Sequence, residues 1–261
     1  MKIIKNIKLL LATLFVSILL FTLSSCVPGN MVTPVVPIGS FIFHLHTYID
    51  NTEVDAYNID YKTLDGRKIS LSISQLYISG IQLVKVDGST YDFSGKNLLK
   101  VLDKETYLVG DVPVGNYKSI RFKVGLDAAT NAVNPITSAD AGILNKSEMW
   151  FGNAAQPDGY VFMNVQGTID TSAGMNKPSV PFAFKIGTNT NYKQISMPDK
   201  PFSVLENQVA LGHILIDNSK LFNGITLNQS SNLSVTTAGA NGSGLAAKIV
   251  NNIPSMFAYE Q

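Results

Sequence analysis

The chain has 261 residues, 45% of them apolar, with 20 basic against 19 acidic side chains and a net charge of +1. That balance excludes a nucleic-acid footprint, which needs clustered Lys and Arg, and the length suits one large β domain. A single cysteine excludes a disulfide framework.

The first 25 residues read as an address. Lys2, Lys5 and Lys8 form a positive leader, Leu9 to Phe21 an apolar run too short and wrongly flanked for a membrane span, and Leu23-Ser24-Ser25-Cys26 a lipobox. Cleavage before Cys26 makes it the acylated N-terminus, and each buried acyl methylene contributes about 0.8 kcal/mol to anchoring in the membrane. The processed chain would carry 236 residues with 17 basic and 19 acidic groups. Val27 follows Cys26 where an inner-membrane retention signal would place aspartate, so an outer-membrane lipoprotein, facing periplasm or exterior, is expected. Residues 26–40 are Pro-rich, with Pro28, Pro34 and Pro37, and read as a lipidated tether. Residues 41–261 follow as a single domain.

The first expected strand is Phe41 to Tyr48. Its alternation puts Phe41, Phe43, Leu45 and Thr47 on one face and Ile42, His44, His46 and Tyr48 on the other. Imidazoles at i and i+2 lie roughly 6 to 7 Å apart at their backbones, a spacing that suits convergence on one ion; the plainer reading is two solvated or hydrogen-bonded side chains. Ile69 to Ser74 alternates as a half-buried strand. Leu76 to Val86 follows as a second β run ending at the Asp87-Gly88 hairpin signal, and Tyr91 to Phe93 returns. Asn97 to Lys104 reads as a short helix. Strands are expected at Thr106–Val109 and Asn116–Val124 around the Val112-Pro113-Val114-Gly115 turn.

Asp127 to Ile143 reads as a long loop, a length more often functional than decorative. Asp127, Asn131 and Asp140 within it suggest either oxygen ligands for calcium or turn caps. Next comes the only tryptophan, Trp150, beside Met149 and ahead of the aromatic strand Tyr160–Gly167, which contains Met163. This stretch is either a hydrophobic corner or a soft metal-binding surface. Further strands are expected at Pro181–Gly187, Lys193–Met197, Val209–Ile216, which contains His213, and Leu233–Thr236. Gly239–Gly244 reads as flexible, and Leu245–Ile253 has helical spacing before Pro254. Short strands with regular turn signals and little helix argue for an all-β, antiparallel, immunoglobulin-like β-sandwich with one or two short helices, one of them C-terminal. No parallel-sheet pattern is visible.

Several stretches in order resemble the MbnP-like family of envelope proteins. They are Leu76 to Ile81 with Asp87-Gly88; Tyr107-Leu108-Val109 with Val112 to Tyr117; Ile120-Arg121-Phe122 with Val124 to Asp127 and Asn131; Gly142 to Asn145; Met149-Trp150 leading to Gly159-Tyr160; and Phe182 to Gly187. The resemblance spans about residues 41 to 220 and implies a β-sandwich associated with copper handling. It also implies a partner, a MauG-type di-haem cytochrome c peroxidase that converts tryptophan to kynurenine in methanotroph relatives. Related copper-repressible proteins bind copper through such a kynurenine together with histidines, and by position Trp150 is the counterpart here. Opening the indole ring creates an aryl amine, a donor that the intact indole lacks. Two departures stand out: members often carry a second nearby tryptophan, and commonly a histidine in the strand where this chain has Lys185. A protonated lysine repels a cation.

Two functional readings follow. One is a non-enzymatic copper-binding lipoprotein, with His44 and His46 as imidazole ligands and His213, Met149 or Met163 as additional ones, and with Trp150 as the oxidised aromatic. The other is a metal-free interaction or structural module that meets an outer-membrane transporter, with Trp150 as a packing residue. An enzyme is not expected, since the chain has no Gly-x-Ser-x-Gly elbow, no His-Glu-x-x-His and no phosphate-cradling glycine loop.

Overall fold

The computed structural model describes residues 36–152, 159–172, 177–237 and 244–260. Among the described residues, fifteen strands run in chain order: β1 (Ile38–Ile49), β2 (Thr52–Glu53), β3 (Tyr61–Lys62), β4 (Lys68–Lys85), β5 (Thr90–Asp92), β6 (Leu98–Lys100), β7 (Thr106–Pro113), β8 (Gly115–Val124), β9 (Val161–Ile169), β10 (Val180–Gly187), β11 (Lys193–Ser196), β12 (Phe202–Val204), β13 (Val209–Asp217), β14 (Ser234–Thr236) and β15 (Phe257–Tyr259). They form two sheets. In the five-stranded one, β15, β13, β1 and β2 lie side by side and β7 also pairs with β1. In the ten-stranded one, the order is β11-β8-β4-β9-β10-β14, with β12 on β8 and β3, β5 and β6 on β4. The expected β-sandwich is therefore present, and the C-terminal helix is found at Gly244–Asn252.

Alternation builds the main core between the sheets. From the smaller sheet come Phe41, Phe43, Leu45 and Ile49, and from the larger one Leu76, Ile78, Leu83, Phe122, Met163, Phe184 and others, all buried. Fully burying each such side chain contributes roughly 1.5–3 kcal/mol. Two irregularities keep β4 facing this core along its whole length. Its register shifts between Leu71 and Ile73 and again between Ser79 and Gln82, so the core-facing set passes from Ile69 and Leu71 to Leu76 and Ile78, then to Ile81 and Leu83. What reads as two strands in sequence is one bulged strand of 18 residues. The Asp87-Gly88 turn is a hairpin as expected: Gly88 has φ +89° and its amide donates to the Lys85 carbonyl at 2.9 Å.

Four sequence expectations are corrected. Residues 97–104 form no helix; β6 occupies Leu98–Lys100, because Leu98 packs into the main core while Leu99 joins a second cluster, an alternation that only a strand delivers. Two pairings are parallel, β1 with β13 and β10 with β14. Each joins segments far apart in sequence, where local turn signals carry no information. The strand that opens the domain starts at Ile38, so Ile38–Ser40 belong to the sheet and not to a tether; the Ser40 amide donates to the Gln208 carbonyl at 2.9 Å. The long segment from Asp127 holds helical turns at Ala128–Asn131 and Ala141–Leu144. Its Leu144, and Leu126 just ahead of it, cover the outer face of the larger sheet together with Met149, Tyr160, Tyr77 and Phe162.

Candidate metal centre

β1 is the axis of the smaller sheet, with β13 on one side and β7 on the other. The parallel register with β13 puts His44 directly beside His213, and the antiparallel register with β7 puts Thr106 opposite His44. Since Phe41, Phe43 and Leu45 turn inward, His44 and His46 turn to the outer face, as alternation requires. Gly212 allows the neighbouring strand to lie close: a Cβ there would come 2.9 Å from the Phe41 ring and 3.1 Å from Ile120. His213, the next residue, then meets the other two histidines.

The three imidazoles converge. His44 Nδ1 lies 3.3 Å from His213 Nδ1 and 3.0 Å from His46 Nε2, and the three donor atoms all fall within 4.8 Å of one another. Around a tetrahedral ion with bonds of about 2.0–2.1 Å, neighbouring donors sit about 3.3 Å apart, so the observed spacing fits a metal. The rings cross nearly at right angles, 89° for His44 with His46 and 79° for His44 with His213, which lets three nitrogens address one point without stacking.

Three carboxylates surround them, and the sequence reading identified none. Glu53, on β2, hydrogen-bonds His46 Nδ1. Glu105, whose carbonyl accepts from the Leu45 amide at 2.9 Å, faces His44 Nε2 at 3.5 Å and His46 Nδ1 at 3.9 Å. Glu260, following β15, lies 3.2 Å from His213 Nδ1 and 3.8 Å from His46 Nε2. Carboxylates on the far ring nitrogens set the tautomers. With His46 Nδ1–H donating to Glu53 and the His44 Nε2 proton directed at Glu105, 3.5 Å away, the lone pairs of His46 Nε2 and His44 Nδ1 face each other at 3.0 Å. Two lone pairs so close repel unless a cation lies between them. Among the described residues, His46, Glu53 and Glu105 form the other group with metal-ligand spacing.

Lys100 stands behind the carboxylates, buried, with its Nζ donating to the carbonyls of Val101 at 2.6 Å and Lys104 at 2.9 Å. Burial pulls its pKa down to about 8, against the pull of Glu105, Asp103 and Glu53.

The remaining expected ligands are placed elsewhere. Met163 is buried in the main core and Met149 in the second cluster, both among apolar side chains, so neither thioether belongs to the histidine group. Trp150 packs against that second cluster, on the outer face of the larger sheet, and its Nε1 donates to the Leu144 carbonyl at 3.1 Å. The main core lies between it and the histidines. Lys185 is on β10, paired with Asn164 and Thr236, in the sheet of Trp150 and not in that of the imidazoles. The oxygen-rich loop is explained by capping and cross-linking: Asp127 accepts from the amide and hydroxyl of Thr130, while Asn131 accepts from the Tyr160 amide and donates to Asn189. Neither Asp127 nor Asp140 belongs to a metal-ligand group of the described residues. Cys26 lies outside the described residues.

No curated protein matches the chain. Among solved structures, MbnP from Methylosinus trichosporium is similar in fold, with a TM-score of 0.50 at 14% identity over 79% of this chain and 83% of that one. The MbnP family model matches residues 39–237, from the second residue of β1 to just beyond β14. That match covers most of the chain, and the protein belongs to the MbnP family.

Proposed function

We propose that this protein is a lipid-anchored protein of the cell envelope that binds copper through His44, His46 and His213 and catalyses no reaction of its own. The observation that carries the reading is the convergence of His44 Nδ1, His46 Nε2 and His213 Nδ1 with contacts of 3.0 and 3.3 Å. Imidazole is a good copper ligand, and family membership supplies a copper-associated context. The lipobox at Cys26 supports attachment to the outer membrane, on its periplasmic or exterior face. A MauG-type di-haem peroxidase is the proposed partner and Trp150 its proposed substrate. Trp150 is partly exposed at a loop on the outer face of the larger sheet. Oxidation of Trp150 is a separate event from metal binding at the histidines, because the core separates the two.

The test is metal analysis and peptide mass spectrometry of protein purified from its own host. Stoichiometric copper, with a lipid-modified N-terminal peptide starting at Cys26, supports the proposal. A metal-free protein with an unlipidated N-terminus refutes it, and the mass of the Trp150 peptide reports independently on the peroxidase.

A second reading, a metal-free module that meets an outer-membrane transporter, is favoured by one observation. Leu108, Leu211 and Val209, which neighbour Ile42 and Ser40 across β7, β1 and β13, are 58%, 50% and 56% exposed. Co-purification of a transporter with protein that holds no copper is the result expected from that reading.

A further inference from the structure

Glu260 differs from the other two carboxylates in which nitrogens it faces. Glu53 and Glu105 address the ring nitrogens that point away from the meeting point, the Nδ1 of His46 and the Nε2 of His44. Their place is behind the ligands. Glu260 Oε2 instead lies 3.2 Å from His213 Nδ1 and 3.8 Å from His46 Nε2, two of the three atoms that converge. Its backbone is held on both sides: its amide donates to the His213 carbonyl at 3.3 Å, and its own carbonyl accepts from Lys200 Nζ at 2.9 Å.

We propose that Glu260 is the fourth ligand of the histidine site, which makes it a three-imidazole, one-carboxylate centre that holds copper as Cu(II) in preference to Cu(I). The inference rests on the copper reading above. Donor spacing supports it, since contacts of 3.0, 3.3 and 3.2 Å, with a longer one of 3.8 Å between Glu260 and His46 Nε2, approximate edges of a tetrahedron around an ion with bonds of about 2.0–2.1 Å. Donor chemistry supports it as well. A carboxylate is a hard anionic ligand, whereas Cu(I) is selected by thioether and thiolate; the thioethers of Met149 and Met163 are enclosed in apolar cores. Charge points the same way, since the carboxylates of Glu53, Glu105 and Glu260 around the imidazoles attract a divalent ion more strongly than a monovalent one. Glu53 and Glu105 remain positioning residues that fix the tautomers of His46 and His44.

The experiment compares wild type, Glu260→Gln and His44→Ala. Each is titrated with Cu(II) and with Cu(I) against competing chelators, and the Cu(II) forms are examined by electron paramagnetic resonance. Glu260→Gln removes the anionic oxygen and retains shape and both backbone bonds, so its metal-free melting temperature is expected to match wild type. Its Cu(II) affinity is expected to fall by about 10- to 100-fold with altered copper hyperfine splitting, while Cu(I) affinity stays within about threefold. Unchanged Cu(II) affinity and spectrum in Glu260→Gln, with binding lost in His44→Ala, overturns the role of Glu260 and leaves the copper site standing. Copper binding that His44→Ala leaves untouched overturns the site itself.

Discussion

Lys100 offers a test of the electrostatics built into the domain. It lies on β6 with 2% of its surface exposed, and burial lowers its pKa from 10.5 to about 8. Below about pH 8 the folded protein must hold a buried ammonium, and the unfolded chain binds that proton more tightly. Stability linked to this residue therefore rises as pH climbs from about 8 to 10.5. The cost of keeping the charge at pH 7 is about 3 kcal/mol. Lys100→Met removes that cost and gives up two hydrogen bonds at about 1 kcal/mol each; the Lys104 carbonyl keeps a donor, the Tyr107 hydroxyl at 2.9 Å. The variant is expected to gain about 1–2 kcal/mol at pH 7, which for a domain of this size is roughly 2–8 °C in melting temperature. By pH 10.5 the gain should vanish or change sign. Thermal melts of wild type and variant at both pH values measure the difference, in which other alkaline titrations cancel. A variant destabilised equally at pH 7 and 10.5 would refute the assignment of a charged, desolvated amine.

Glu53→Gln replaces the acceptor that fixes His46, and metal affinity should drop about 10- to 100-fold with an unchanged melting temperature; chelator competition reads it. Gly167→Ala should not fold to a soluble product, because its Cβ would land on the Ser70 carbonyl oxygen of the adjacent strand, and soluble yield with circular dichroism checks this. Trp150→Phe forfeits the 3.1 Å bond to the Leu144 carbonyl and should cost about 1–2 kcal/mol in urea unfolding. It should leave copper affinity unchanged; a large loss of affinity would show that the two faces are coupled.

The sequence carries the strand at Phe41–Tyr48 with its two outward histidines plainly, because alternation between Phe or Leu and His is a local property. It also carries the Asp87-Gly88 hairpin and the C-terminal helix. It does not carry the meeting of His213 with His44, which depends on a parallel pairing between strands 169 residues apart. Glu53, Glu105 and Glu260 escape for the same reason. Glu53 ends β2, Glu105 precedes β7 and Glu260 follows β15, strands whose partners only the fold reveals, and an acidic residue near a turn looks like any solvated charge. Met149 and Trp150 mislead because a Met beside a Trp signals softness and packing alike. Packing decides here, since both sit in a cluster that covers the larger sheet. Residues 97–104 mislead because a run of leucines and lysines has good helix propensity, and two cores on opposite sides of β6 override it.

The most direct test of the central claim is calorimetric titration of the metal-free protein with copper, wild type against a His44→Ala, His46→Ala double variant. One copper per chain in wild type and none in the variant is the predicted result. Equal affinity in both proteins, or no binding by wild type, would contradict the histidine site.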